Sequence, residues 1–256
     1  MTHLLAPACG PGRNQILDAL PAGELQRWAP HLEPVPLRAA QVLCEAGVAP
    51  AHVHFPTTCS VSLMSMTRDG DSAELALVGR EGVVGIAVFM GGDAMPAQAV
   101  VRCAGQALRM RAPVLRSLLL DAGPALATLL RYTQTLIAHV AQTALCNRYH
   151  SIEQQLSRRL LLGLDHGSSD ELVMTQEEAA SLLGVRREGV TAAALRLQRS
   201  GLIRYRRGLI RVLDRGALEQ RACECYAAAT KQHARLLPAA RPRAADHLSF
   251  GQAVAA

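Results

Sequence analysis

The stretch from Thr175 to Asp214 leaves the chain little choice of local structure. Thr175 followed three residues later by Glu178 is the pattern of a capping box, in which each side chain reaches the other's backbone N–H at a helix start. Ala179, Leu182 and Leu183 supply an apolar face, and Gly184 ends the helix as a residue that enters the left-handed region without strain. Val185 fills a short turn. A second helix begins near Arg186 or Arg187, with Val190, Ala194 and Leu197 on its inner face at spacings of 4 and 3. Arg187, Glu188, Thr191 and Arg196 fall on the outer face. Gly201 stops this helix, and two strands follow, at Leu202–Tyr205 and Leu209–Leu213, about the tight turn Arg206-Arg207-Gly208. Asp214 caps a last helix, predicted from Arg215 to about Ala229. Two helices about a glycine turn, then a hairpin, make a helix-turn-helix with a wing.

Charge is concentrated in the same place. Residues 1–147 hold ten Arg against ten acidic residues, whereas residues 186–211 hold eight Arg and one Glu. A basic segment on a neutral body points to a polyanionic partner. A second helix of this kind packs one face on the first and offers polar side chains from its early turns to the DNA major groove. Arg spans the guanine O6/N7 pair and Glu accepts from cytosine N4, which suits Arg186, Arg187 and Glu188 to base edges. Thr175 and Gln176, at the start of the supporting helix, suit a phosphate, as do Arg206 and Arg207 at the wing tip. Double-stranded DNA is the expected partner.

The front of the chain reads as mostly β after a short helix, roughly Asn14 to Trp28. Val53–Pro56 is a strand ended by proline. Val61–Thr67 runs into Asp69-Gly70, a dipeptide favoured in type I′ hairpins, and returns at Glu74–Val78. Glycines at 79, 82, 85, 91 and 92 punctuate the next stretch, and Ala99–Cys103 resumes a strand. Short strands with Gly-rich turns imply a jelly-roll-like β-roll. Pro113 begins a helix, and Pro124 begins another that meets no breaker before about Tyr149. Leu126, Leu130, Thr133, Ile137, Val140 and Ala144 step 4, 3, 4, 3, 4 along it, a heptad seam that predicts a homodimer. Ser151 can cap a further helix with Ile152, Leu156, Leu160 and Leu164 on one face. The fold class is α+β: a β-roll over residues 14–123, a dimerisation helix over 124–149, a winged helix-turn-helix over 150–229, and a disordered tail over 230–256.

No run of about 18 uncharged apolar residues spans a membrane, and the first fifteen residues lack the pattern of a secretory leader. Seven scattered cysteines read as reduced thiols in a cytoplasmic protein. Cys223 and Cys225, two apart on a predicted helix, point about 200° from each other and suit neither a shared metal nor a disulfide. His52 and His54 share a strand face, and His139 lies close to the seam, but ordinary packing accounts for all three. No metal or cofactor is assigned. The chain has no Gly-x-Ser-x-Gly elbow, no phosphate-binding Gly-Lys-Ser/Thr and no His-Glu-x-x-His, so an enzyme is not expected. The competing reading is a dimeric small-molecule or redox sensor, or a scaffold, whose helix-turn-helix serves protein contacts. The Arg-rich wing speaks against it.

The run TQEEAASLLGVRREGVTAAALRLQRSGLIRYRRGLIRVLD, at 175–214, resembles the DNA-binding domain of the Crp/Fnr family of bacterial transcription regulators. LVGREGVVGIAVFMGG, at 77–92, resembles the glycines of the family's β-roll, and 124–149 its dimerisation helix. The resemblance implies a cyclic-nucleotide-binding-type β-roll, a homodimer and RNA polymerase as a partner, with the family's recognition Arg and Glu at Arg187 and Glu188. It also exposes a departure. Members that bind cyclic nucleotides follow the cassette glycine with a Glu for the ribose and place an Arg some ten residues on for the phosphate. Here Ile86 follows Gly85, and Pro96 or Ala97 takes the phosphate position. Cys9, Cys44, Cys59 and Cys103 are too dispersed for the cluster-binding pattern of the oxygen-sensing members.

Overall fold

The computed structural model of the chain describes residues 14–92, 94–120, 123–166 and 170–236. The predicted first helix is two. Asn14 caps α1 (Gln15–Asp18) by accepting from the N–H groups of Ile16 and Leu17, and Pro21 sits at the N-cap of α2 (Ala22–Trp28). Proline has no N–H to continue a helix, so the chain stops and restarts there. Seven strands follow: β1 (Glu33–Leu37), β2 (Val42–Cys44), β3 (His52–Pro56), β4 (Ser60–Met66), β5 (Ser72–Val78), β6 (Gln98–Cys103) and β7 (Gly105–Arg111). A short helix, α3 (Ala87–Met90), interrupts them after β5. They form two antiparallel sheets, ordered β1-β7-β3 and β2-β6-β4-β5, as the jelly-roll reading requires. The β4–β5 hairpin is as predicted, but its turn is not type I′. Gly70 alone has a positive φ there, and Gly70 N–H donates back to Thr67 O at 3.2 Å. That bond and the single left-handed glycine make a longer loop built on an ordinary turn.

Between the sheets lie Val35, Leu37, Val53, Phe55, Val61, Leu63, Val78, Ala99, Val101 and Met110, with Trp28 tilted against Phe55 at a centroid distance of 6.2 Å. α4 (Ala112–Leu118) follows β7, and α5 (Pro124–Tyr149) then lies along the roll, burying Ala125, Leu129, Tyr132 and Leu136 in the same core. α5 thus has an inner face as well as an outer one.

The second unit has its own core. It comprises α6 (Ile152–His166), β8 (Glu171–Val173), α7 (Gln176–Leu183), α8 (Arg187–Arg199), β9 (Ile203–Arg206), β10 (Leu209–Val212), α9 (Arg215–Arg221) and α10 (Glu224–Leu236). Ser151 caps α6 by accepting from Gln154 N–H, and Leu156, Leu160 and Leu164 are buried against Ala179, Leu183, Val190 and Leu197. Gly189, early in α8, leaves room for Ile152 of α6; a Cβ there would stand 2.5 Å from Ile152 Cδ1. The last predicted helix is two, broken at Ala222–Cys223, and α10 continues to Leu236, into the segment expected to be disordered. The break overturns the premise that Cys223 and Cys225 share one helix and diverge. The remaining predicted tail, 237–256, and Cys9 lie outside the described residues.

The two units are joined by polar contacts on the outer face of the β2-β6-β4-β5 sheet. Arg159 of α6 pairs with Glu74 of β5, and Arg102 of β6 with Glu178 of α7 at 3.2 Å. The hydroxyls of Ser72 and Ser181 lie 2.6 Å apart.

Candidate nucleic-acid interface

The capping box forms as the sequence predicts. Thr175 Oγ1 accepts from Glu178 N–H at 3.1 Å, and Glu178 Oε2 accepts from Thr175 N–H at 2.7 Å. Burial opposes ionisation of Glu178, but the Thr175 N–H and the Arg102 charge outweigh it and lower the carboxyl's pKa. Gly184 ends α7 with φ 64°, in the left-handed region. α8 then starts at Arg187 with Arg186 in its extended N-cap position.

The ends of these elements are tied together. Thr191 Oγ1 donates to Gln176 Oε1 at 2.7 Å, which fixes the early turns of α8 beside the start of α7. Met174 N–H donates to Gly208 O at 2.8 Å and Tyr205 Oη donates to Met174 O at 3.2 Å, which fixes the wing beside the same start. The wing turn has positive φ at both Arg207 (49°) and Gly208 (79°), the geometry of a type I′ turn whose twist matches a two-residue hairpin. One surface therefore carries Thr175 and Gln176 at the start of α7, Arg186, Arg187 and Glu188 at the start of α8, and Arg206 and Arg207 at the wing tip.

Arg186, Arg187, Glu188, Arg206 and Arg207 are exposed, and Arg187 lies 3.9 Å from Glu177, a loose pair between exposed groups. Gln176 and Thr191 are half-buried by their mutual bond. Arg196, two turns further along α8, is held elsewhere: its Nε donates to Glu153 Oε2 at 2.6 Å, and Arg221 shares that carboxylate. Sequence reading passed over Arg204 and Arg211, which are exposed on the outer face of the wing and stand directly opposite each other in register. The signal was present in the alternation of Ile203-Arg204-Tyr205-Arg206, where buried and exposed residues change places along the strand.

The six seam residues of α5 are not equally exposed. Leu130, Ile137 and Ala144 point outward, whereas Thr133 is buried and donates to Leu129 O. Leu126 is half-buried, and Val140 packs partly against the roll. The exposed stripe is Ala127, Leu130, Gln134, Ile137, Ala141, Ala144 and Arg148, which steps 3, 4, 3, 4, 3, 4. It keeps half the predicted residues and is rotated by about one position for the rest.

In the β-roll, Gly85 has φ 105° and Ile86 is half-buried against the core; Ala97 is buried and Pro96 exposed. His52 and His54 stand side by side at a centroid distance of 6.2 Å, and burial lowers the pKa of His54 to about 4. His139 is half-buried at the junction of the two units rather than on the exposed stripe, and burial, with the charge of Arg158, lowers its pKa to about 4.

A β-roll, a long helix and a winged helix-turn-helix with a basic face define a DNA-binding transcription regulator. The description of the cyclic nucleotide-binding domain matches residues 34–122, and that of the Crp-like helix-turn-helix domain matches residues 154–221. Together these take in well over half the chain, which belongs to the Crp/Fnr family. No curated protein sequence matches it. Its fold is similar to that of a Crp/Fnr-family transcriptional regulator from Eubacterium rectale, at 16% identity and TM-score 0.66 over 80% of this chain and 96% of that one. It is similar to FixK2 from Bradyrhizobium japonicum, at 16% identity and TM-score 0.64 over 75% and 98%. It is similar also to CLP, the c-di-GMP-responsive global regulator of Xanthomonas campestris, at 18% identity and TM-score 0.62 over 76% and 100%. No helix among the described residues is long and apolar enough to cross a membrane.

Proposed function

We propose that the chain reads specific DNA sequences as a homodimer, with the first turn of α8 in the major groove and the wing along the adjacent backbone. The observation that carries this reading is the single basic surface made by the starts of α7 and α8 and the wing tip. Arg187 and Glu188 are assigned to base edges, with Arg186 beside them. Thr175, Gln176, Arg206 and Arg207 are assigned to phosphates, joined by Arg204 and Arg211. Arg211 stands in register between Arg204 of β9 and Glu171 of β8, so this part of the wing carries a net positive charge. Thr191 orients Gln176, and Arg196 reaches DNA only by leaving Glu153.

The dimer is assigned to the outward stripe of α5 centred on Leu130 and Ile137, whose exposed apolar side chains recur at heptad spacing. Two copies related by a two-fold axis would set their recognition helices about one DNA turn apart, roughly 34–36 Å. RNA polymerase is the partner that would convert binding into regulation. The effector is not a cyclic nucleotide, because Ile86 offers no acceptor to a ribose hydroxyl and Ala97 no charge to a phosphate. Genome-wide mapping of bound DNA tests the reading. A recurrent palindromic motif supports it, and uniform coverage overturns it.

A further inference from the structure

Two elements that are far apart in sequence bring three thiols and an imidazole to one point. Cys146 lies in the last turn of α5 and His150 caps that helix four residues on. Cys223 sits at the break after α9, where Ala222 is extended, and Cys225 lies in the first turn of α10. One ligand atom from each of the four lies within 4.8 Å of every other. Cys146 Sγ is 3.5 Å from Cys223 Sγ, and Cys225 Sγ is 3.4 Å from His150 Nδ1. A tetrahedral zinc ion with the usual bond lengths, about 2.3 Å to sulfur and about 2.0–2.1 Å to nitrogen, sets sulfurs about 3.8 Å apart and sulfur and nitrogen about 3.6 Å apart. The Cys146–Cys223 and Cys225–His150 edges already stand close to those lengths, and the other four are no longer than 4.8 Å.

The surroundings are those of a metal site as well. His150 Nε2, the nitrogen turned away from the thiols, lies 3.2 Å from the Glu224 carboxylate, the kind of partner that fixes a ligand histidine in the correct tautomer. Gln142 Nε2 donates to Cys225 Sγ at 3.0 Å. All three cysteines are buried, and burial raises the pKa of the Cys146 thiol against the opposing charge of nearby Arg158. A disulfide between Cys146 and Cys223 would use two of these groups and leave Cys225, His150 and Glu224 arranged for nothing.

We propose that Cys146, His150, Cys223 and Cys225 bind one zinc ion. Four protein ligands close the coordination sphere, so the site is structural rather than catalytic. Three thiols release their protons to solvent on binding, and the resulting net charge of −1 faces Arg158. The ion ties the end of α5 to the α9–α10 break. It thereby fixes the last helix of the DNA-binding unit to the helix that carries the exposed stripe.

The test uses the full-length chain, produced without a metal-binding tag in zinc-supplemented medium and analysed by elemental mass spectrometry and intact mass. One zinc per chain is expected, falling at least tenfold in Cys223→Ser and Cys225→Ser. Because those variants can fail by misfolding, the reduced and chelated wild type is also titrated with cobalt(II). Visible ligand-field bands of a tetrahedral thiolate site, saturating at one cobalt per chain and abolished by zinc, are expected. Glu224→Gln should weaken zinc binding about 10–100-fold while leaving its stoichiometry unchanged. Absence of zinc together with absence of those bands overturns the proposal. So does a Cys146–Cys223 disulfide in protein handled anaerobically, or iron with acid-labile sulfide in place of zinc.

Discussion

Arg159 of α6 and Glu74 of β5 form a buried ion pair across the junction of the two units, with Nε 2.7 Å from Oε1 and Nη2 donating to Oε2 at 3.2 Å. Ser62 Oγ donates to the same Oε2, so the carboxylate is held from both sides. Removing one member of such a pair strands the other charge and typically costs about 3–5 kcal/mol. Glu74→Ala should therefore lower stability by that order in urea denaturation. Trp28, the only tryptophan, is buried in the β-roll and reports that unit, while circular dichroism is weighted toward the helices. A shift below about 1 kcal/mol, far under the cost of a stranded charge, would show that the junction does not rest on this pair.

A second junction pair makes stability depend on pH. His166 Nδ1 of α6 lies 2.9 Å from Glu81 Oε2 in the turn after β5. Burial opposes charge on both. The attraction between them outweighs it, raising the His166 pKa above its ordinary 6.5 and lowering that of Glu81 to about 2. Asp165 adds to the rise at His166 and Arg159 opposes it. The histidine's contribution is complete below pH 6.5 and is lost as pH rises through its higher folded value. The glutamate's contribution is complete above pH 4.5 and is lost as pH falls toward 2. His166→Gln should flatten the decline in stability on the alkaline side of neutrality, measured by denaturation between about pH 6 and 9. An unchanged slope would assign that decline to other groups.

The two faces of α5 should answer differently to charge. Leu130→Glu with Ile137→Glu places carboxylates on the exposed stripe and should give folded monomers in analytical ultracentrifugation. Leu129→Glu, on the buried face, should unfold the β-roll instead. A monomeric wild type at micromolar concentration contradicts the assigned interface.

Cyclic AMP and cyclic GMP should show no heat of binding in isothermal titration at physiological concentrations. Micromolar affinity for either would show that groups other than Ile86, Pro96 and Ala97 hold the nucleotide.

The winged helix was legible because each boundary rests on a local signal: a capping box at Thr175, left-handed glycines at 184 and 201, a cap at Asp214. The α5 stripe was half legible. Both of its faces carry apolar residues, and only the packing of Leu129, Tyr132 and Leu136 on the roll decides which face is free. Ser62 and Glu74 are polar strand residues that are nonetheless buried at the junction with α6, a fact that belongs to the docking of two units rather than to either sequence segment. The cysteine–histidine cluster was hidden for a similar reason. Nothing at Ala222 breaks helical periodicity as a proline would, and the grouping needs contacts more than seventy residues apart.

The division of the basic surface into base-reading and phosphate-binding arginines is tested by affinity for an operator and a scrambled duplex across a salt series. Wild type, Arg187→Ala and Arg207→Ala are compared. Arg187→Ala should lose about 1–3 kcal/mol on the operator and little on the scrambled duplex. Arg207→Ala should lose affinity about equally on both and lower the salt slope by roughly one unit per charge removed. Equal losses by both variants on both duplexes, with the same change in salt slope, would contradict the account.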